Sequence, residues 1–221
     1  MRKARWDITF CQRGDRVTTD PLFRIHAYAT SIFGEKRSVR PSTIKEREPV
    51  ETLEALTTRR SCRAYTDKPV DQETIDKIVE AGRYAANGMN RQPVTFVEVT
   101  DPAIVAKLSH MNAAIMGSDA DPFYGAKSLV VVLVDTAAPT CIEDGALAMG
   151  NMLNAAHALG VDSCWIHRAK EEFESDEGKE LLTSWGLPAD GSLRGIGHCI
   201  LGYAAGPAPE AKPRTSKVIR S

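Results

Sequence analysis

The chain of 221 residues, 43% hydrophobic and 26% charged, has ordinary globular composition and is long enough for one domain plus a spare segment, which excludes a wholly disordered, collagen-like or coiled-coil chain. A formal net charge of −1 leaves no whole-chain basic field for nucleic acid, and the longest apolar run, residues 129–134, is too short to span a bilayer. Five scattered cysteines without a Cys-x-x-Cys pair suit a reducing cytoplasm better than a disulfide framework or a zinc site.

Charge is uneven along the chain. Residues 1–50 hold eleven Lys/Arg against six Asp/Glu, and residues 51–221 hold seventeen against twenty-three. The first fifty residues also lack a sustained apolar period, open on basic residues with no apolar stretch behind them, and end in Pro-containing polar runs around Pro41 and Pro49. They predict a basic, poorly ordered extension without a signal peptide, with the folded domain running over residues 51–221.

From Glu51 the pattern is regular. Residues 51–60 carry Leu53 and Leu56 at helical spacing and predict a short helix. Asp71 is a good N-cap, with Val70 and Ile75 at the positions of a hydrophobic staple, and Ile75, Ile78 and Val79 extend one apolar face. Residues 94–100, rich in β-branched side chains, predict a strand. Asp101 and Pro102 supply an N-cap and an N1 proline to a helix bearing Ile104, Val105, Leu108 and Met111. Residues 129–134 lack polar alternation and predict a strand buried on both faces. Residues 144–159 predict an Ala-rich helix closed by Gly160, whose small residues on several faces suit a close-packed core or subunit contact. Ser175 caps a helix through Leu181, Leu182 and Trp185, ended by Gly186 and Pro188, and residues 196–203 predict a last short strand. Strands alternating with helices argue for a layered α/β or α+β fold.

Four clusters could carry chemistry. Arg59, Arg60, Ser61 and Arg63 stand where the first helix ends. A helix C-terminus repels anions, so a phosphate there needs guanidinium compensation; the same residues could equally be a solvated basic helix end. Residues 85–93 (Ala-Ala-Asn-Gly-Met-Asn-Arg-Gln-Pro) offer amides that match the edge of a flat heterocycle, but by themselves they describe a well-made turn. In residues 159–166, Cys164 lacks a local His/Asn partner and fits a core thiol better than a nucleophile. Lys212 and Arg214 gain meaning only if the tail folds back onto the first cluster.

In this order and spacing, Arg-Arg-Ser-x-Arg-x-Tyr (59–65), Asn-x-Gln-Pro (90–93), Gly-x-x-Ser-Cys-Trp-Ile (160–166), Gly202-Tyr203 and Lys-Pro-Arg (212–214) resemble the FMN-dependent nitroreductase superfamily, over nearly all of residues 51–220. The resemblance implies an α+β three-layer sandwich with a central, mostly antiparallel sheet flanked by helices, and subunits that intertwine as a homodimer. It implies FMN bound at the dimer interface, with Arg59, Arg60, Ser61, Arg63, Lys212 and Arg214 at its phosphate. Ala86, Asn87 and Gly88 would reach the flavin from the partner subunit, Asn90 and Gln92 would lie at or behind the ring, and Ser163, Cys164, Trp165 and Ile166 would line it. Many relatives have Pro-Ser where this chain has Ala86-Asn87, which changes the partner-subunit contact. The region 112–124 is short beside relatives that carry a lid there, so an open pocket is expected, with Phe123 and Tyr124 as candidates for a substrate-facing wall or for core. The implied activity is electron transfer from NADH or NADPH through flavin N5 to a small electron-poor acceptor, a nitroaromatic or quinone, by ping-pong kinetics. No side chain is then needed as a general acid and no metal is expected. An ene reductase, a reductive dehalogenase and a non-catalytic flavin carrier are the alternatives.

Overall fold

A computed structural model describes residues 50–221. The expected extension over residues 1–50 lies outside the described residues except for Val50, whose N–H donates to Ala158 O at 3.2 Å.

The elements follow one another as α1 (Thr52–Thr58), α2 (Gln72–Arg83), β1 (Val94–Val99), α3 (Pro102–Met116), β2 (Ser128–Asp135), α4 (Cys141–Ala158), β3 (Asp162–Ile166), α5 (Ala169–Glu174), α6 (Asp176–Ser184) and β4 (Leu193–Gly202). The strands form one sheet in the order β1-β2-β4-β3, with every neighbouring pair antiparallel. A bulge at Ile196 shifts the β2–β4 register between Val132 and Leu133.

Alternation along β2 divides the core. Leu129, Val131 and Leu133 face a layer with residues of α3, α5 and α6. Val130, Val132 and Val134 face a layer with residues of α2 and α4. The absence of polar alternation in β2 thus has a simple cause: helices cover both sides of the sheet. This is the three-layer α+β arrangement expected above.

The caps match their sequence signals. Asp71 accepts from Thr74 N at 2.9 Å, Asp101 accepts from Ala103 N at 2.8 Å, and Ser175 accepts from Gly178 N at 3.1 Å. Gly160 takes φ +79° just beyond α4, the left-handed value a helix-ending glycine supplies without strain.

The helix expected over residues 51–60 is present, with Leu53 and Leu56 78% and 53% exposed and Ala55 buried. Two expectations are corrected. Helix α4 begins at Cys141, before Asp144, which sits buried in its first turn. Strand β4 is ten residues long, not short, because it is central and pairs on both edges. Helix α5 had no expectation; six residues carry too little periodicity to announce themselves. Among the described residues no helix is long and apolar enough to cross a membrane.

Candidate functional site

The first arginine cluster is tied to β3 by backbone. Cys62 N donates to Ser163 O at 3.0 Å, and Ser61 forms a parallel bridge with Ser163. The segment after α1 therefore runs as a short extra strand along the β3 edge, which brings the 59–63 and 163–166 motifs together.

Polar side chains at this junction are incompletely satisfied. Arg60 Nη1 donates to Thr57 O at 3.0 Å and to Arg59 O at 2.7 Å. Among the described residues, Arg59 Nη1, Arg60 Nε and Ser163 Oγ are buried and have no hydrogen-bond partner. Leaving a buried donor unpaired costs about 1–3 kcal/mol, more for a charged group. Two cationic donors and a hydroxyl without partners suit an anionic group that supplies acceptors. A cleft of about 340 Å³ opens beside Arg60, lined also by Ser61, Arg63 and Asp162 together with Gly206, Pro207, Ala208 and Pro209 of the tail; Arg59 and Ser163 do not line it. Lys212 and Arg214 do not line it and stand exposed further along the tail.

The thiols here are core groups. Burial raises the Cys62 thiol above its usual range, and pushes Cys199 up to about 12 although the nearby Arg59 guanidinium pulls it down. Burial likewise raises the Tyr65 hydroxyl. Cys164 is 3% exposed, which agrees with a packing role. Trp165 is partly exposed, and its indole lies over Gly197, where a Cβ would come within 2.1 Å of the indole nitrogen.

The second motif lies elsewhere. Val94 pairs with Val134, and Val134 with Arg194; Ser163 pairs with Leu201, and Leu201 with Ser128. Ser128 and Val134 are six residues apart on one strand, so the 85–92 loop and the Ser61–Ser163 bridge sit about 20 Å apart along the sheet. Within one chain the two motifs do not meet.

That loop is internally closed. Gly88 N donates to Asp144 Oδ1 at 2.9 Å, Gln92 N to Asn87 Oδ1 at 2.9 Å, and Gln92 Nε2 to Asn90 Oδ1 at 3.2 Å. A Cβ on Gly88 would come within 2.1 Å of Thr140 Oγ1. Met89, Asn90 and Gln92 hold φ values of +54°, +53° and +52°, each a strained conformation for a residue with a side chain. Ala86, Met89, Asn90 and Gln92 are exposed. Asn87, Asn90 and Gln92 share a cleft of about 590 Å³ with Asp144, Tyr84 and Phe96. Asp144 was missing from the sequence reading; a carboxylate inside an Ala- and Met-rich helix was the available signal.

Of the two residues considered for a substrate wall, Phe123 is 1% exposed and packs on the His198 ring at 5.3 Å. Tyr124 is 37% exposed, at φ +54°, and has surface to offer.

The family model described as "Nitroreductase family" matches residues 56–123. An Archaeoglobus fulgidus protein named "Putative NADH dehydrogenase/NAD(P)H nitroreductase" is 32% identical over 143 residues, covering 62% of this chain and 78% of that protein. A rat iodotyrosine deiodinase is 40% identical over 58 residues, 26% of this chain and 20% of that protein. The crystal structure of a Bacteroides fragilis nitroreductase with bound FMN superposes with a TM-score of 0.70 at 28% identity, over 78% of this chain and 99% of that one. With the antiparallel three-layer fold and the ordered motifs of residues 59–65, 90–93 and 160–166, these matches place the chain in the nitroreductase family.

Proposed function

We propose that the protein is an FMN-dependent oxidoreductase that takes electrons from NADH or NADPH and delivers them to a small electron-poor acceptor such as a nitroaromatic or a quinone. The observation that carries this reading is the set of buried, unpartnered polar atoms Arg59 Nη1, Arg60 Nε and Ser163 Oγ on two hydrogen-bonded segments. They fit the phosphate of FMN, which would satisfy donors that otherwise remain unpaired in a dry site. When bound, FMN supplies the two-electron chemistry; the protein supplies orientation, electrostatics and access. Arg59, Arg60, Ser61 and Arg63 hold the phosphate, Ser163, Cys164, Trp165 and Ile166 line the ring, and Lys212 and Arg214, exposed outside the cleft, reach the phosphate only if the tail folds back.

We further propose that a second copy of the chain completes the site with Ala86, Asn87, Gly88, Asn90 and Gln92. Two features support this. The motifs lie at opposite ends of the sheet within one chain. Apolar side chains of α1 and α4 also face outward: Leu53, Leu56, Ile142 and Leu147 are all at least 48% exposed, a pattern that marks interaction surfaces. Reductive dehalogenation is the second reading, favoured by the deiodinase match.

The test is an anaerobic visible spectrum of the purified protein before and after NADH and then NADPH, with light scattering on the same sample. A yellow dimer bleached by either nucleotide supports the reading. A yellow protein bleached by neither points to a flavin carrier or another electron donor, and a colourless protein that FMN cannot reconstitute refutes it. Reduced protein mixed with nitroaromatic, quinone and iodophenol acceptors separates the two reactions.

A further inference from the structure

A second polar cluster lies behind β3, in the core. Asn112 of α3, Glu172 of α5 and His198 of β4 are each 0% exposed. His198 Nε2 and Glu172 Oε2 are 2.7 Å apart. Asn112 Nδ2 donates both to the other carboxylate oxygen, Glu172 Oε1, and to the backbone carbonyl of His167 at 2.7 Å. Arg168 Nη1 approaches Asn112 Oδ1 at 3.4 Å. The rings of Phe123 and Phe173 close over His198, at 5.3 and 6.3 Å.

A buried polar cluster of this kind is poor value as a source of stability, since well-packed apolar residues of the same volume do as well or better. Its arrangement suggests another role. His167 and Arg168 form the turn by which the chain leaves β3, directly after Trp165 and Ile166. Arg168 holds φ +76° there, a left-handed conformation that a non-glycine residue keeps only where its surroundings enforce it. The enforcing contacts are visible. Asn112 pins the carbonyl before the turn, Glu172 sits one helical turn beyond it with its N–H donating to Arg168 O at 3.0 Å, and His198 pairs in register with Ile166. His198 Nδ1 is buried without a hydrogen-bond partner among the described residues. The Glu172 carboxyl thus meets the Asn112 amide at one oxygen and the His198 ring at the other, with the Arg168 guanidinium beyond Asn112.

We propose that Asn112, Glu172 and His198 are positioning residues, which together with Arg168 lock the turn after β3 and so set how β3 presents itself to the flavin. The inference rests on the reading that β3 lines FMN. It assigns these residues no contact with the reacting atoms. Their effect is mechanical, through the fixed turn, and electrostatic, through the buried Glu172 carboxyl behind the strand.

The experiment compares wild type, Glu172→Gln and Arg168→Gly. Glutamine keeps the shape and removes the carboxyl, while glycine suits φ +76° and removes the guanidinium, so Arg168→Gly tests the idea even if Glu172→Gln does not fold. Three quantities are read: amide hydrogen exchange of residues 167–169 in the FMN-free protein, the dissociation constant for FMN, and the midpoint potential of bound FMN by dye-coupled titration. The expected result is exchange at the turn at least tenfold faster in both variants, with exchange in β2 unchanged in Arg168→Gly. FMN affinity falls about tenfold in each, and the potential moves positive in Glu172→Gln, because removing the buried carboxyl favours the more negative, reduced flavin. Turn exchange, affinity and potential all unchanged in a folded variant would overturn the proposal and leave the cluster as packing. Wild type that binds no FMN would refute the functional reading itself, while faster turn exchange in the variants of that same protein would still show the lock.

Discussion

The two ends of the sheet are built to different standards of completeness. At the Ser61–Ser163 end, backbone groups are paired while the atoms Arg59 Nη1, Arg60 Nε and Ser163 Oγ are buried without hydrogen-bond partners among the described residues. At the 85–92 end the polar groups satisfy one another, through Asn87, Asn90, Gln92 and the buried Asp144, and the backbone carries the strain instead. The first arrangement suits an incoming anion, because guanidinium donors gain most from charge-assisted acceptors. The second is closed by its own chain, through Asp144, and is the surface proposed above to meet a second copy.

The comparison breaks most decisively at Arg59. Replacing Arg59 and Arg60 by Ala should weaken FMN binding by about 10- to 150-fold per lost contact, from roughly 1.5–3 kcal/mol each. The exposed Arg63 should cost less than about fivefold when changed to Ala, within the range of surface ion pairs. Fluorescence titration of released FMN distinguishes these outcomes, and equal losses at Arg59 and Arg63 would mean that burial does not grade the contacts.

Next in size is Gly88→Ala. The added methyl meets Thr140 Oγ1, which already donates to Asp144 Oδ2 at 2.9 Å. Relief of that overlap should cost about 1–3 kcal/mol in urea unfolding. It should also raise the dimer dissociation constant measured by light scattering on dilution, with no loss of the arginine cluster's affinity for inorganic phosphate.

A control away from both ends is Asp71→Ala, expected to cost about 1 kcal/mol as a lost N-cap. Hydrogen bonds from the Thr74 N–H and hydroxyl hold the Asp71 carboxyl below its usual range. Its contribution is therefore present at neutral pH and is lost as the pH falls through that lowered range, so wild type and variant should converge in urea stability in strong acid. The smallest effect belongs to deletion of residues 2–50, proposed to form an extension outside the folded domain: flavin content and melting temperature should stay within error of the full chain.

Much of the fold was readable in the residues. Asp71, Asp101 and Ser175 announce their helices because capping is local chemistry. The uninterrupted apolar run of β2 announces two covered faces because a pleated strand exposes both sides to its neighbours. The arginine, Asn-x-Gln-Pro and Ser-Cys-Trp-Ile motifs could be ordered along the chain and matched to a family.

What the residues could not declare was anything that depends on who packs against whom. Leu53 and Leu56 have the right spacing for a buried face, yet Ala55 is the side chain α1 buries, because which face is covered depends on α4 and not on α1. Phe123 was open to either role until the His198 ring covered it. Asn112, Glu172 and His198 lie 60 and 26 residues apart in sequence, so no local pattern links them, and each alone reads as an ordinary polar residue. Most elements, their caps and the family were legible in the residues, because those rest on short-range geometry and motif order. Which arginine atoms are buried without partners, that the two motif regions stand at opposite ends of one sheet, and that Asn112, Glu172 and His198 meet in the core came only with folding, because burial and unmet hydrogen bonds exist only once distant segments close over one another.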